Sequence, residues 1–444
     1  MFNLTMNYYD MSAKDSIINL RRFAFYLLLG GFFSGVSAQT YRFDLSEGGK
    51  AKEGYTKILP SDRFSESRGY GYDFVTPKDL RPDTPRFFSV VVPDGNYRVT
   101  VTMGSDRYAA ETTVRGESRR LFIENLPTRK GERITKSFIV NKRDSLISGN
   151  EKVMVKANER QKLNWDNRLT LEINGSRPAV STIEITRDDS VPTVFLCGNS
   201  TVVDNDCEPY TSWGQMIPVF FDENVAIANY AESGLAADTF IGQKRLKKAL
   251  SQMKPGDYVL VEFAHNDQKQ KGPGKGAYYS FAYYIKQFID EARAKGATPV
   301  LVTPTRRRFF DKEGHITDTH LNYPQVVKEI ALRENVDLID LQQMTKVMCE
   351  ALGVEGSRKL FVHYPPNTYK DQPKELKDNT HFSTYGAYEV AKCVLEGMRY
   401  IGLPLVKHIR SEYSDAFSPV CPDDFESFKW VLSPFEVTDK PDGN

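Results

Sequence analysis

The chain passes from a continuous apolar run into small polar residues at Thr193-Val194-Phe195-Leu196-Cys197-Gly198-Asn199-Ser200-Thr201. An apolar run of this length that ends in turn-forming residues predicts a strand buried on both faces. Four more such runs follow, with helical stretches between them, at residues 225–228, 258–263, 299–302 and 336–339. Strands that alternate with helices predict an α/β fold, in which helices cover both faces of a parallel sheet.

Three polar or small residues come directly after predicted strands. They are Ser200, Gly234 and Asn266. Because the carboxyl ends of parallel strands meet at one edge of the sheet, we expect these residues to lie close together. Ser200 is then a candidate nucleophile, and the Ser200 and Gly234 backbone N–H groups with the Asn266 amide are candidate oxyanion donors. The alternatives are a helix cap, a turn glycine and a loop-bracing asparagine.

An aspartate precedes a histidine by three positions at Asp378-Asn379-Thr380-His381. Histidine can take the proton of a serine hydroxyl, and a carboxylate can hold its ring in the required tautomer. The spacing predicts Ser200, His381 and Asp378 as a catalytic triad. A solvated turn is the alternative for the Asp-x-x-His motif alone.

The residue blocks around these positions resemble one family, the SGNH or GDSL-like hydrolases. Its conserved Ser, Gly, Asn and His correspond here to Ser200, Gly234, Asn266 and His381, and the resemblance covers about residues 193–403. Within the family, the blocks at residues 198–202, 212–215, 262–268 and 380–382 look most like rhamnogalacturonan acetylesterases. The resemblance implies a flavodoxin-like three-layer sheet, a serine esterase that removes acetyl groups from a pectic polysaccharide, and no cofactor. It departs at Leu235-Ala236, where an arginine and a serine are usual, and at Leu321, where glycine is usual.

The segment before the α/β part has a different pattern. Short strand-like runs fill residues 40–187, which predicts a β-sandwich and resembles the galactose-binding-like domains of bacterial pectin enzymes. The runs at residues 87–92 and 97–102 flank a glycine-containing turn and predict a hairpin. A polar linker at residues 187–192 leads to the hydrolase domain at residues 193–410, and residues 411–444 form a C-terminal extension.

The first residues carry a targeting pattern. Arg21-Arg22 precede an apolar run at residues 23–33, and Val36-Ser37-Ala38 are small residues of the kind that signal peptidase reads. We interpret residues 1–38 as a cleaved signal, which predicts a protein exported to the periplasm or the medium; a buried N-terminal helix is the alternative. The net charge of +1 gives no indication of nucleic-acid binding, and no membrane association is expected after cleavage. The five cysteines and six histidines form no zinc motif, so no metal is predicted, and Cys197 with Cys207 is the closest pair for a disulfide.

Basic residues near the predicted site indicate an acidic polysaccharide as partner. Lys269, Lys271 and Lys275 follow the Asn266 block, and residues 306–308 are all arginine. Arginine binds carboxylates such as those of galacturonate, although solvated surface loops are an equal alternative. The full set of candidate substrate contacts is Thr201, Trp213, His265, Arg306, Arg307 and His320. Two other functions are considered: an esterase or lipase for another glycan or small ester, and a sugar-binding protein without activity.

Overall fold

The computed structural model describes residues 39–74 and 84–442. The predicted signal at residues 1–38 lies outside the described residues. Within the described ranges, no helix is long and apolar enough to cross a membrane. The described residues from Thr40 onward form one compact unit.

The N-terminal part consists of strands that belong to two sheets. The strands are β1 Thr40–Asp44, β2 Thr56–Lys57, β3 Tyr70–Asp73, β4 Arg86–Val91, β5 Gly95–Met103, β6 Ala110–Gly116, β7 Arg120–Thr128, β8 Ile134–Lys142, β9 Leu146–Ser148, β10 Glu151–Lys152, β11 Arg168–Arg177 and β12 Val180–Arg187. One sheet has the order β3-β4-β11-β6-β7, and the other runs β8-β5-β12-β1-β2. Phe88 and Leu171 of the first sheet share an apolar cluster with Val99 and Ile183 of the second. The galactose-binding-like character of this region stays a prediction.

The predicted hairpin of β4 and β5 is wrong. β4 pairs with β3 and β11, whereas β5 pairs with β8 and β12, so the turn between them carries the chain from one sheet to the other. Gly95 follows this turn with φ +152°, and a side chain there would lie 3.0 Å from an Asp189 carboxylate oxygen. The glycine-containing turn is present, but tertiary packing, and not the turn, decides which strands pair.

The hydrolase part has the predicted parallel sheet. Its strands are β13 Thr193–Gly198, β14 Ala226–Asn229, β15 Tyr258–Glu262, β16 Thr298–Val302 and β17 Asp337–Ile339, in the order β17-β16-β15-β13-β14. Its helices are α1 Trp213–Met216, α2 Ala237–Gly242, α3 Arg245–Gln252, α4 Ala282–Ala294, α5 Tyr323–Glu334, α6 Leu341–Gly356 and α7 Thr384–Tyr400, and a last strand pair is β18 Phe361–Tyr364 with β19 Leu376–Phe382. Phe195 and Leu196 of β13 belong to different buried clusters, which shows that neighbouring residues of this strand point to opposite faces of the sheet. The α/β fold with helices on both faces is confirmed.

The two parts share one sheet. β14 of the hydrolase part runs parallel to β8 through the pair Ile227 and Val140, which makes a ten-stranded sheet from β17 to β2. In the predicted linker at residues 187–192, Arg187 is the last residue of β12, and the rest is the short connection from β12 to β13 of that sheet. The division into separate domains at this linker stays a prediction.

Buried arginines of the N-terminal part extend into the hydrolase part. The Arg120 guanidinium lies 3.2 Å from the Asp204 carboxylate, and both side chains are fully buried. The neighbouring Arg119 pairs with Glu208 at 2.7 Å and donates to the Tyr210 carbonyl oxygen at 3.0 Å. These bonds fix residues 204–210 against β7, since a buried charge is tolerated only with a partner.

The C-terminal extension has two short 3-10 turns, Ser411–Tyr413 and Phe425–Ser427, and lies against both parts. Trp430 Nε1 donates to the Glu208 carboxylate at 3.0 Å, and the Asn125 amide donates to the Lys429 carbonyl oxygen at 2.8 Å. Beyond them, the Val437 N–H donates to the Glu208 carbonyl oxygen at 2.9 Å. Glu208, in the segment that follows Ser200, therefore holds the extension at several points.

Candidate active site

Ser200 lies in a tight turn at the carboxyl end of β13. Gly198 ends the strand, and a side chain there would lie 3.0 Å from the Glu262 carbonyl oxygen of the adjacent strand. The Ser212 hydroxyl donates to the Ser200 carbonyl oxygen at 2.6 Å and holds the turn from the other side. The turn does not cap a helix, because the first helix after it begins at Trp213.

Ser200, His381 and Asp378 form a chain of hydrogen bonds. His381 Nε2 lies 3.0 Å from Ser200 Oγ, and His381 Nδ1 lies 2.6 Å from Asp378 Oδ2. The other carboxylate oxygen of Asp378 accepts the backbone N–H groups of Thr380 at 2.8 Å and His381 at 3.0 Å. Asp378 and His381 both lie in β19, and their spacing of three residues brings the two side chains together as predicted.

Asp378 is buried, yet it favours the ionised form. Burial by itself would raise its pKa, but the hydrogen bond and charge of His381, together with the two backbone N–H groups, lower the pKa to about 2. Ser200 is 6% exposed and His381 is 2% exposed, and the Tyr210 ring contacts the His381 ring edge to face at 5.8 Å between centroids. Such a chain can draw the proton from the serine hydroxyl and stabilise the resulting imidazolium.

Gly234 and Asn266 follow β14 and β15 at the same edge of the sheet. Gly234 has φ +75°, which favours glycine. The Asn266 side-chain NH₂ donates to the Leu235 carbonyl oxygen at 3.1 Å, and its oxygen accepts from Lys269 Nζ at 3.2 Å. The structure therefore joins the loops of the two predicted oxyanion residues by a direct hydrogen bond.

Asp267 braces the loop that carries Asn266, a role of Asp267 that is not predicted from the sequence. Its carboxylate accepts the backbone N–H groups of Ala237 at 2.8 Å and Ala264 at 3.0 Å. Burial raises the pKa of Asp267 to about 7 despite these bonds. Ala264 has φ +127°, so this non-glycine residue is held in a rare conformation. In the sequence, the sign of this role is that Asp267 directly follows Asn266.

Comparison with known proteins agrees with this geometry. The model of the GDSL-like Lipase/Acylhydrolase family matches residues 196–387. Rhamnogalacturonan acetylesterase RhgT of Bacillus subtilis is 43% identical over 222 residues, which are 49% of this chain and 94% of that protein. The chain belongs to the GDSL-like hydrolases. It is a carboxylic-ester hydrolase, and the resemblance seen in the sequence is confirmed.

Two further relatives of this GDSL-like hydrolase come from the same bacterium. The probable rhamnogalacturonan acetylesterase YesY is 33% identical over 222 residues, 49% of this chain and 98% of that protein. The uncharacterized esterase YxiM is 26% identical over 368 residues, 76% of this chain and 88% of that protein. The likeness to YxiM is thus longer than the hydrolase part alone.

Thr201 and Trp213 do not reach the surface of this GDSL-like hydrolase. Both are buried, and both donate to the Glu262 carboxylate, Thr201 Oγ1 at 2.7 Å and Trp213 Nε1 at 2.6 Å. Burial raises the pKa of Glu262 to about 7 although it accepts these bonds. The predicted substrate contacts of Thr201 and Trp213 are therefore corrected: the two side chains support the turn of Ser200 from the core.

His265 and His320 form a buried pair. His320 Nε2 lies 3.1 Å from His265 Nδ1, and His265 Nε2 lies 3.3 Å from Thr305 Oγ1. Burial and nearby positive charges lower the pKa of His320 to about 3 and hold the pKa of His265 well below its ordinary value. Both rings are neutral and almost fully enclosed, so their predicted role in substrate contact is replaced by support of the loop after β15.

The arginines of residues 306–308 point in different directions. Arg306 pairs with Asp318 at 3.1 Å, and Arg308 donates to Ser357 at 3.1 Å. Arg307 donates to the His265 carbonyl oxygen at 3.2 Å and is close enough to Asp378 for their charges to interact. Of the three arginines, Arg307 is the one that the structure brings to the site.

Three positive side chains converge beside Asp378: Lys269, Arg307 and Lys440. Partial burial and the charges of Arg307 and Lys440 lower the pKa of Lys269 to about 8. Lys440 Nζ, in the C-terminal extension, lies 3.8 Å from Asp378 Oδ2. Lys269 and Arg307 are predicted from the sequence, whereas Lys440 is not, because no local pattern connects it with the site. Lys275 instead pairs with Asp238 at 2.7 Å.

In the described ranges, no group of three His, Cys, Asp or Glu side chains is arranged to hold a metal ion. The five cysteines are free thiols in the structure, including the suggested pair Cys197 and Cys207. Burial raises the pKa of Cys207 to about 12, so this thiol is not a reactive nucleophile.

Proposed function

We propose that the protein is an exported serine acetylesterase that removes acetyl groups from a pectic, acidic polysaccharide. The observation that carries the proposal is the hydrogen-bonded chain from Ser200 Oγ through His381 to Asp378, at 3.0 Å and 2.6 Å. The names of two relatives at 43% and 33% identity support the acetylated polysaccharide.

The acylation step follows from the geometry of the three residues. Ser200 Oγ attacks the acetyl carbonyl carbon while His381 Nε2 takes the hydroxyl proton, and Asp378 stabilises the imidazolium. The backbone N–H groups of Ser200 and Gly234 and the Asn266 amide donate to the oxyanion of the tetrahedral intermediate. The carbon–oxygen bond to the sugar then breaks, and the imidazolium gives its proton to the departing sugar oxygen, which leaves as a hydroxyl.

Deacylation uses the same groups in reverse. His381 takes a proton from water, and the hydroxide attacks the acetyl carbonyl of the acyl-serine. Collapse of the second tetrahedral intermediate releases acetic acid and returns the proton to Ser200 Oγ. The burial of Ser200 and His381 strengthens each of these electrostatic interactions, because few water molecules screen them.

The cations beside Asp378 support an acidic substrate. Lys269, Arg307 and Lys440 bring three positive charges to the rim next to Ser200, which favours an anionic sugar there. Ion pairs with a carboxylate at such a partly buried rim are worth more than pairs in water. Export is supported by the basic and apolar pattern of residues 21–38.

The experiment compares acetate release from acetylated rhamnogalacturonan, acetylated xylan and an aryl acetate by the full chain. We expect the highest kcat/KM on rhamnogalacturonan. A higher value on xylan would contradict the pectic substrate while leaving the esterase intact. Activity on the aryl acetate alone would favour a small-ester hydrolase, and no activity on any ester would favour a sugar-binding protein. Sequencing the N-terminus of the mature protein tests cleavage after Ala38.

A further inference from the structure

A cavity of about 450 Å³ borders Tyr210, whose ring packs against His381, and is lined by three distant parts of the chain. We propose that this cavity is a subsite for an uncharged sugar unit next to the acetylated one. The N-terminal part contributes Gln161, the hydrolase part contributes Asp206 and Tyr210, and the C-terminal extension contributes Asp439. The proposal rests on the proposed function, because it assumes that the ester belongs to a glycan.

The cavity adjoins the reacting groups. Tyr210 lines it and packs its ring against His381, and Ser233 lines it directly before Gly234 in the chain. Lys440, also in the lining, lies 3.8 Å from Asp378. A sugar whose acetyl group reaches Ser200 therefore has its neighbouring unit within reach of the cavity.

The C-terminal wall of the cavity is held in place. Its first contact is the bond from the Val437 N–H to the Glu208 carbonyl oxygen at 2.9 Å. Its last contact is the ion pair of Asp442 with Lys156 at 3.2 Å, where a side chain on Gly234 would lie only 2.9 Å from Asp442 Cβ. The segment between them spans the cavity with both ends fixed, which makes the pocket preformed, as ligand sites usually are.

The chemistry of the lining fits sugar hydroxyl groups. Carboxylate and amide side chains accept hydrogen bonds from hydroxyls, and an aromatic ring packs on the apolar face of a sugar. Neither Gln161 nor Asp439 has a side-chain hydrogen bond to another part of the chain that the structure describes. Their hydrogen-bonding capacity is therefore available to a ligand.

The charges of the lining exclude an acidic unit from the cavity. Asp206, Asp439 and Glu232 line it, and Lys162 is engaged by Glu232 at 2.9 Å. The lining holds four carboxylates, Asp206, Glu232, Asp439 and Asp442, against two ammonium groups, Lys162 and Lys440. A carboxylated sugar placed there would therefore face an excess of negative charge. The site thus matches a glycan in which an acidic unit over Lys269 and Arg307 adjoins a neutral unit in the cavity.

The test uses Gln161→Ala and Asp439→Ala in the full chain. The readout is the ratio of kcat/KM on an acetylated oligosaccharide to kcat/KM on an aryl acetate, which has no second sugar. We expect each variant to lower this ratio roughly tenfold, the effect of one lost hydrogen bond to a ligand. Asp424→Ala makes the same change at an exposed site of the same extension and should leave the ratio as in the wild type.

The outcomes separate this proposal from the proposed function. An unchanged ratio in both variants, with wild-type activity on the oligosaccharide, overturns the cavity as a subsite and leaves the acetylesterase intact. If xylan is the better polymer, acetylated xylo-oligosaccharides are used as the oligosaccharide in this test. Their units are uncharged, as the proposed subsite requires. Wild-type activity restricted to the aryl acetate overturns both proposals. Unfolding temperatures equal to that of the wild type show that a lowered ratio comes from binding.

Discussion

The hydrolase part and the two segments that flank it contribute to the site in different ways. In the hydrolase part, short segments at strand ends carry the reactive groups, as with Asp378 and His381, which lie three residues apart and 2.6 Å from each other. The flanking segments contribute through partners far away in sequence, such as Lys440 beside Asp378 and Lys162 beside Glu232. The reactive residues are therefore marked by local sequence, whereas access to them and the support of their loops are built by tertiary contacts.

Loss of the proposed nucleophile tests the local side of this comparison most severely. Ser200→Ala should lower kcat on an aryl acetate by about 10⁶-fold, as in other serine hydrolases that lose the nucleophile. The unfolding temperature should stay near that of the wild type, since only one oxygen is removed. Near-normal turnover by this variant would exclude Ser200 as the nucleophile.

The second-largest effect is expected from changing the carboxylate of Asp378. Asp378→Asn should keep the geometry but favour the wrong tautomer of His381, which lowers kcat by about 10⁴-fold in the serine-protease example. Combining it with His381→Ala should add little, because residues that act as a unit are not additive. A mild effect of Asp378→Asn beside an inactive His381→Ala would reduce the site to a Ser–His pair.

Lys162 tests the flanking side. Its ammonium pairs with Glu232 at 2.9 Å, and both side chains are buried. Glu232 directly precedes Ser233 and Gly234 in the chain. Lys162→Met leaves a buried carboxylate without its partner and should lower the free energy of unfolding by roughly 3–5 kcal/mol. Lys156→Met, at the half-exposed pair with Asp442, should cost about 1 kcal/mol or less in the same denaturant titration. Equal losses in the two variants would show that burial of the pair does not matter.

The smallest expected effect is a dependence of KM on pH. Lys269, whose pKa is lowered to about 8 by partial burial and by the charges of Arg307 and Lys440, is charged below that pH and neutral above it. KM for an acidic acetylated glycan should therefore rise several-fold between about pH 7 and 9, while KM for a neutral aryl acetate should not. Lys269→Arg keeps its charge over this range and should flatten the rise. A rise of the same size on both substrates would contradict a role of Lys269 in binding the carboxylate.

Periodicity predicted the hydrolase part well. The five apolar runs are the five strands of the parallel sheet, and the helical stretches predicted between them include α5, Tyr323–Glu334. These elements are buried on both faces or along one stripe, so local hydrophobicity carries their signal. The N-terminal hairpin was predicted wrongly because β4 and β5 each have better partners in different sheets.

Side-chain direction was harder to predict than position. Thr201 and Trp213 lie in blocks next to Ser200, yet both face the core and donate to Glu262. His265 and His320 lie 55 residues apart and meet as a buried pair. A position next to a reactive residue shows that a side chain belongs to the same loop, but its direction depends on which partner satisfies its polar atoms.

The sequence by itself determined the α/β fold of the hydrolase part and the residues of its Ser200, His381 and Asp378 set. Those features depend on hydrophobic period, on strand ends and on a spacing of three residues, all of which are short-range properties of a chain. Only the tertiary structure decided that Lys440 stands beside Asp378, that Lys162 supports the Gly234 loop, and that three distant segments enclose one cavity. Contacts between distant segments depend on how whole sheets and loops pack, and that packing leaves no periodic signal along the chain.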